Sequence, residues 1–147
     1  MNSDSELDEI ESIEDSLDED INCITKISET YASFLLDLLL SGRFSKLIAD
    51  NDLQKIRACL EDATHLISTG KEAQCLQNLR TVEKNARDSN PALSHLARCV
   101  IQSYIREKDW DDETAPDRSP LYLFLLGIRK IIPDIGPEFV SYFKAKL

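Results

Sequence analysis

Residues 90–105 read Asn-Pro-Ala-Leu-Ser-His-Leu-Ala-Arg-Cys-Val-Ile-Gln-Ser-Tyr-Ile, and this stretch decides the fold class. Asn90 offers a side-chain oxygen to the unpaired amides of a first helical turn. Pro91 brings a φ already suited to the first helical position, where its missing N–H costs nothing. Leu93, Leu96, Ala97, Val100, Ile101, Tyr104 and Ile105 then recur at steps of three and one. That spacing lays a wide apolar face along one side of a helix, as an element facing a helical core requires. A half-buried strand would alternate with period two.

The same grammar recurs on both sides. Ser119-Pro120 repeats the cap-plus-proline start, and residues 121–132 are apolar nearly all round, which predicts a central helix ended by Pro133. Gly136-Pro137 opens a last short helix carrying Phe139, Val140, Tyr142 and Phe143. Upstream, Ile24, Ile27, Tyr31, Phe34, Leu35 and Leu38 form the stripe of a helix from about residue 21 to 40, with Gly42 suited to the left-handed position that closes it. A short piece at 44–49 follows. Asn51 or Asp52 is the expected cap of a helix reaching about Ser68, striped by Leu53, Ile56, Cys59, Leu60, Ala63 and Ile67 and stopped by Gly70. Residues 71–88 carry a narrower stripe of Ala73, Leu76, Leu79, Val82 and Ala86. Residues 108–118 read as an acidic, proline-containing loop that holds Trp110. The expectation is an all-α, compact bundle of five to six helices over residues 21–147. The similar lengths of the middle helices also fit an α-solenoid fragment, but no repeat of fixed period is present, which favours a closed bundle.

Residues 1–20 follow a different rule. They hold ten Asp and Glu and no Lys or Arg, whereas residues 21–147 hold seventeen of each sign, so the whole net charge of −10 sits in this arm. Leu7, Ile10, Ile13, Leu17, Ile21 and Ile24 nevertheless recur every three or four residues. The register is that of a helix, but dense like charge opposes an isolated one. A partly disordered arm is expected unless something basic lies against it.

Composition argues against several classes of function. The sequence holds no His-Glu-x-x-His, no Gly-x-Ser-x-Gly and no phosphate-cradling glycine loop, and its four glycines are scattered at helix ends. His65 and His95 lie mid-helix beside leucines, where a surface or boundary histidine is the plain reading. Carboxylate pairs abound in the arm, where water prevents the split of pKa values that acid–base work needs. No enzyme activity and no cofactor or metal site is expected. The acidic balance repels phosphate, so no direct nucleic-acid binding is expected either. No apolar run is long enough to span a bilayer, and an acidic start is unlike a secretory signal. Cys23, Cys59, Cys75 and Cys99 share no clip spacing and sit on or beside apolar stripes, as buried thiols in a reducing nucleus or cytoplasm would.

What remains is protein binding. The arm residues Leu7, Ile10, Ile13 and Leu17 would fold on a basic, apolar groove of a partner. Ser3, Ser5, Ser12 and Ser16 each have an acidic residue three positions on, the pattern of acidophilic kinases, so the arm reads as a phosphoprotein segment. Arg80, Lys84 and Arg87 share one helix face, either solvated or a docking strip for an acidic segment such as this chain's own arm. Trp110 reads as an interface anchor or as cover for helix ends, and Phe139, Tyr142 and Phe143 as core closure or an exposed aromatic patch. Leu35-Leu36-Asp37-Leu38-Leu39 formally matches a leucine docking box, a string that core helices produce often. The expected function is a non-catalytic interaction module, an adaptor or subunit of a larger intracellular complex, eukaryotic and nuclear or cytosolic, with at least one basic-surfaced protein partner. The alternative is an acidic chaperone or inhibitor that masks a histone, a nucleic-acid-binding protein or a toxin through residues 1–20.

Overall fold

The helix that begins at Asn90 forms as its sequence dictates. The Asn90 side chain accepts a hydrogen bond from the Leu93 N–H at 3.3 Å, Pro91 occupies the first turn, and Leu93, Leu96, Ala97 and Val100 are buried. The computed structural model describes residues 3–17, 21–64, 72–109 and 119–147, with side chains from Glu6 onward. Among these residues it is all-helical and compact. Seven α-helices appear: α1 (Ser3–Asp15), α2 (Cys23–Leu40), α3 (Asp50–Ala63), α4 (Glu72–Ala86), α5 (Pro91–Gln102), α6 (Pro120–Arg129) and α7 (Gly136–Lys146). A single 3-10 turn at Glu107–Asp109 follows α5. Seven helices exceed the expected five to six because α1 is itself one of them.

Helix α2 is the hub. It packs against α3, α5, α6, α7 and the 3-10 turn. Its stripe Ile24, Ile27, Tyr31, Phe34, Leu35 and Leu38 is buried throughout, which also places Leu35 and Leu38 of the docking-box string in the core. Tyr31 stacks on Phe124 at 4.3 Å between ring centroids, and its hydroxyl donates to the Phe124 carbonyl at 3.1 Å. Phe34 meets Phe139 edge to face, with centroids 5.6 Å apart. The helix closes as the sequence predicts: Gly42 takes φ +83°, while the Gly42 and Arg43 N–H groups donate to the carbonyls of Leu39 and Leu38. This doubly bonded ending needs a left-handed residue, and glycine adopts it without a Cβ clash.

The contacts of α2 with α5, α6 and α7 join elements far apart in sequence, which a solenoid would not do. Some expected boundaries move. Helix α3 starts at Asp50 after Ala49, which makes no side-chain cap bond, so Asp50 and Asp52 sit in the first turn and act on the helix dipole instead. Ile21 lies outside α2 and is 87% exposed. Helix α6 is not wrapped on all sides: Leu121, Phe124, Leu125 and Ile128 are buried, but Tyr122 and Leu126 face outward.

Candidate protein-interaction site

Of the acidic arm the structure describes residues 3–17, and residues 3–15 of it form α1, which lies on α6 and α7. The condition named for its folding is met within the chain, because something basic does lie against it. Glu6 pairs with Arg129, and Glu9 with Lys144 at 3.1 Å. Ile10 is fully buried and Ile13 nearly so, both in the same apolar cluster as Phe139 and Phe143, while Leu17 packs at its edge and Leu7 is half-buried.

Helix N-termini supply the remaining positive potential. The Glu14 carboxylate accepts from the Leu121 N–H at 3.0 Å and from the Ser119 hydroxyl, and so caps α6 from more than a hundred residues away. At the start of α7 the preceding Ile135 makes no side-chain cap bond, and the Glu6 carboxylate lies so close to Gly136 that a Cβ there would run into it. Two helix starts, each a partial positive charge, thus face two carboxylates of one acidic helix. Burial pushes the Glu14 carboxyl above its ordinary value of 4.5, against the two hydrogen bonds that hold it down and with help from Asp15 and Glu11. A third glutamate does similar work elsewhere: Glu107 accepts from the Thr25 N–H at 3.0 Å and from its hydroxyl at 2.6 Å, at the start of α2.

Two groups of residues singled out in the sequence, the arm and the C-terminal helix, therefore meet each other. Ile10, Ile13, Phe139 and Phe143 are buried in the chain's own core, so Phe139 and Phe143 take the core-closure alternative, and Ile10 and Ile13 meet the chain's own helices rather than open solvent. Tyr142 is half-buried, donates to Asp37 at 3.1 Å, and carries Lys146 5.6 Å above its ring. Its hydroxyl is pushed up to about 12 by burial and by Asp37. Arg80 and Lys84 are exposed on α4 and Arg87 just past its end; the neighbours of α4 are α3 and α5, so these residues are not the dock of the arm. Trp110 and His65 lie outside the described residues. Ser12 is exposed on α1 and Ser16 is exposed in the turn that follows it.

A second surface was not found by sequence reading. Between α5 and α6 runs an open groove of about 470 Å³. Leu123, Leu126 and Gly127 form its apolar floor, and His95, Arg98 and Lys130 its rim. Leu126 and Tyr122 on this side of α6 are 41% and 37% exposed. The signal was available: residues 121–126 are apolar on more faces than a bundle helix can bury, and Arg98 and Lys130 flank the same face.

Among the described residues, no group of His, Cys, Asp and Glu is placed to hold a metal ion, and no helix is long and apolar enough to cross a membrane. All four cysteines are free thiols, with Cys59, Cys75 and Cys99 buried. No protein-family model, no curated protein and no solved structure matches this chain.

Proposed function

We propose that the chain is a non-catalytic protein–protein interaction module, an adaptor or subunit of a larger nuclear or cytosolic complex, and that it grips an acidic, apolar segment of a partner. One observation supports this above the others: the α5–α6 groove joins an apolar floor the chain leaves open to a rim of His95, Arg98 and Lys130. A helix with carboxylates beside leucine-like residues fits both halves of that surface. The free thiols support a reducing compartment.

The test compares wild-type protein with Leu126→Asp and with Arg98→Glu/Lys130→Glu in affinity capture from cell extract at low and moderate salt. One partner set should be lost with either variant, and should weaken with salt in the wild type. Recovery of the same partners by all three proteins at both salts refutes the reading.

A second reading rests on the outward side of α1, where Asp8, Glu11 and Asp15 are exposed. As an acidic chaperone or inhibitor, the chain would mask a basic protein with this side. It predicts that Asp8→Lys/Glu11→Lys loses the partner while Leu126→Asp keeps it.

A further inference from the structure

Helix α1 is held like a ligand rather than like a founding helix of the bundle. It carries seven carboxylates and no basic residue between Ser3 and Asp15, so alone in water its charges repel and its helix does not persist. Its polar anchors are all remote in the chain: Arg129 for Glu6, Lys144 for Glu9, and Ser119 with the Leu121 amide for Glu14. The frame beneath it has packing of its own, because α6 and α7 pack on each other and both pack on α2. The connection to α2 therefore contributes proximity, and the surface itself contributes recognition.

We infer that the α6–α7 face is a receptor for acidic amphipathic helices, that α1 is its occupant in cis, and that a partner helix of the same chemistry takes its place. The docked α1 specifies that chemistry. Carboxylates at i and i+3 meet Arg129 and Lys144, apolar residues at i+4 and i+7 enter the cluster, and a carboxylate at i+8 meets the start of α6; in α1 these are Glu6, Glu9, Ile10, Ile13 and Glu14. Charge complementarity selects the occupant, since cations and helix N-termini surround a buried apolar strip. A neutral amphipathic helix would leave Arg129 without its partner, and a basic one would be repelled. This face is separate from the α5–α6 groove, touching it only through Arg129, so the two readings stand or fall apart.

The probe is a fluorescent synthetic peptide of residues 3–17, titrated against the full-length chain, with a scrambled peptide of equal composition beside it. In the wild type the tethered α1 competes at an effective concentration on the order of millimolar, so labelled peptide binds weakly. Glu9→Lys/Glu14→Lys places cations against Lys144 and the α6 start and frees the face. This variant should bind the peptide at least tenfold more tightly than the wild type. Adding Arg129→Glu to the freed variant should abolish binding, whereas adding Leu126→Asp should not change it. Hydrogen exchange in the wild type gives a readout that needs no variant: millimolar peptide should speed exchange of the α1 amides at least threefold and leave α5 unchanged.

The inference is overturned if the freed variant binds no better than the wild type while peptide leaves α1 exchange untouched. It is also overturned if the scrambled peptide binds equally, or if binding survives Arg129→Glu. A freed variant that runs as a dimer, with α1 exchanged between copies, overturns it in favour of a second copy as the occupant.

Discussion

Helices α1 and α5 have nearly the same length, thirteen and twelve residues, yet they belong to the molecule in different ways. Helix α5 begins with its own cap and proline, buries half its residues, and packs against α2, α3, α4 and α6. Helix α1 has few buried side chains among the described residues, lies on α6 and α7, and is fastened by ion pairs and borrowed helix starts. A founding helix is specified by its own sequence, whereas a client helix is specified by its host. The pair should therefore respond unequally to the same insult. Val100→Asp puts a carboxylate at a fully buried site of α5 and should cost more than about 4 kcal/mol, enough to unfold a marginal domain. Ile10→Asp makes the same change at an equally buried site of α1, but there the helix can leave and carry the charge into water. Circular dichroism melts should show loss of the cooperative transition in the first variant, and in the second a retained transition with rapid exchange confined to α1. Collapse of both variants would erase the distinction.

A gentler version acts from the host side. Gly136→Ala leaves α1 unaltered but adds a methyl group where the Glu6 carboxylate lies. The substitution favours helix α7 slightly by propensity, by about 0.5–1 kcal/mol. Body stability should therefore hold or rise while α1 exchange quickens severalfold. A variant in which α1 stays as protected as before would show that Glu6 has room elsewhere.

Glu107 brings the same physics to a founding helix. Asn22 precedes α2 and makes no side-chain cap bond, and Glu107 supplies one from 82 residues away. Partial burial raises its carboxyl, but the Thr25 hydrogen bonds outweigh this and hold it below the ordinary value of 4.5. Its contribution is therefore present above that value and lost as pH falls through the depressed one. Glu107→Ala should cost about 1 kcal/mol of global stability by denaturant titration at pH 7, the usual worth of a helix cap. The loss should be global, because α2 is the hub, whereas substitutions at Glu6 and Glu9 should register only in α1.

How far the sequence could be read follows the same line. Asn90, Ser119-Pro120 and Gly42 act on their own helix within three residues, so their roles could be read directly. The stripes of α2 and α5 were legible because a founding helix states its buried face by its own period. The register of Leu7, Ile10, Ile13 and Leu17 was visible too, but not its destination. Nothing local in residues 1–20 shows that Arg129 and Lys144 wait more than a hundred positions away. For the same reason the strip of Arg80, Lys84 and Arg87 was an available dock that the topology does not use. Helix α3 is capped by Ala49, two to three residues before the Asn51 or Asp52 that the sequence suggests, because Ala49 offers no side-chain acceptor to mark the start. The groove between α5 and α6 depends on which part of an all-apolar helix stays uncovered, and that is fixed only by its neighbours.

The smallest expected effect concerns protonation and again separates client from founder. Glu14 is raised by burial above its ordinary carboxyl value, with Asp15 and Glu11 adding to the rise and the bonds from Ser119 and the Leu121 amide opposing it. A docked α1 therefore holds this proton more tightly than a released one. The sign follows from linkage: docking gains from a raised group are full below the released value near 4.5 and are lost as pH rises through the docked one. Docking should therefore be firmer in mildly acidic than in neutral solution. Protection of the α1 amides, corrected for the intrinsic pH dependence of exchange, should rise modestly as pH falls from 7 toward the ordinary carboxyl value of 4.5, while α5 protection should not follow it. Glu14→Gln keeps an acceptor for the Leu121 amide and removes the titration. In that variant the α1 response should flatten, and a response of unchanged size would assign it to another carboxylate of the helix.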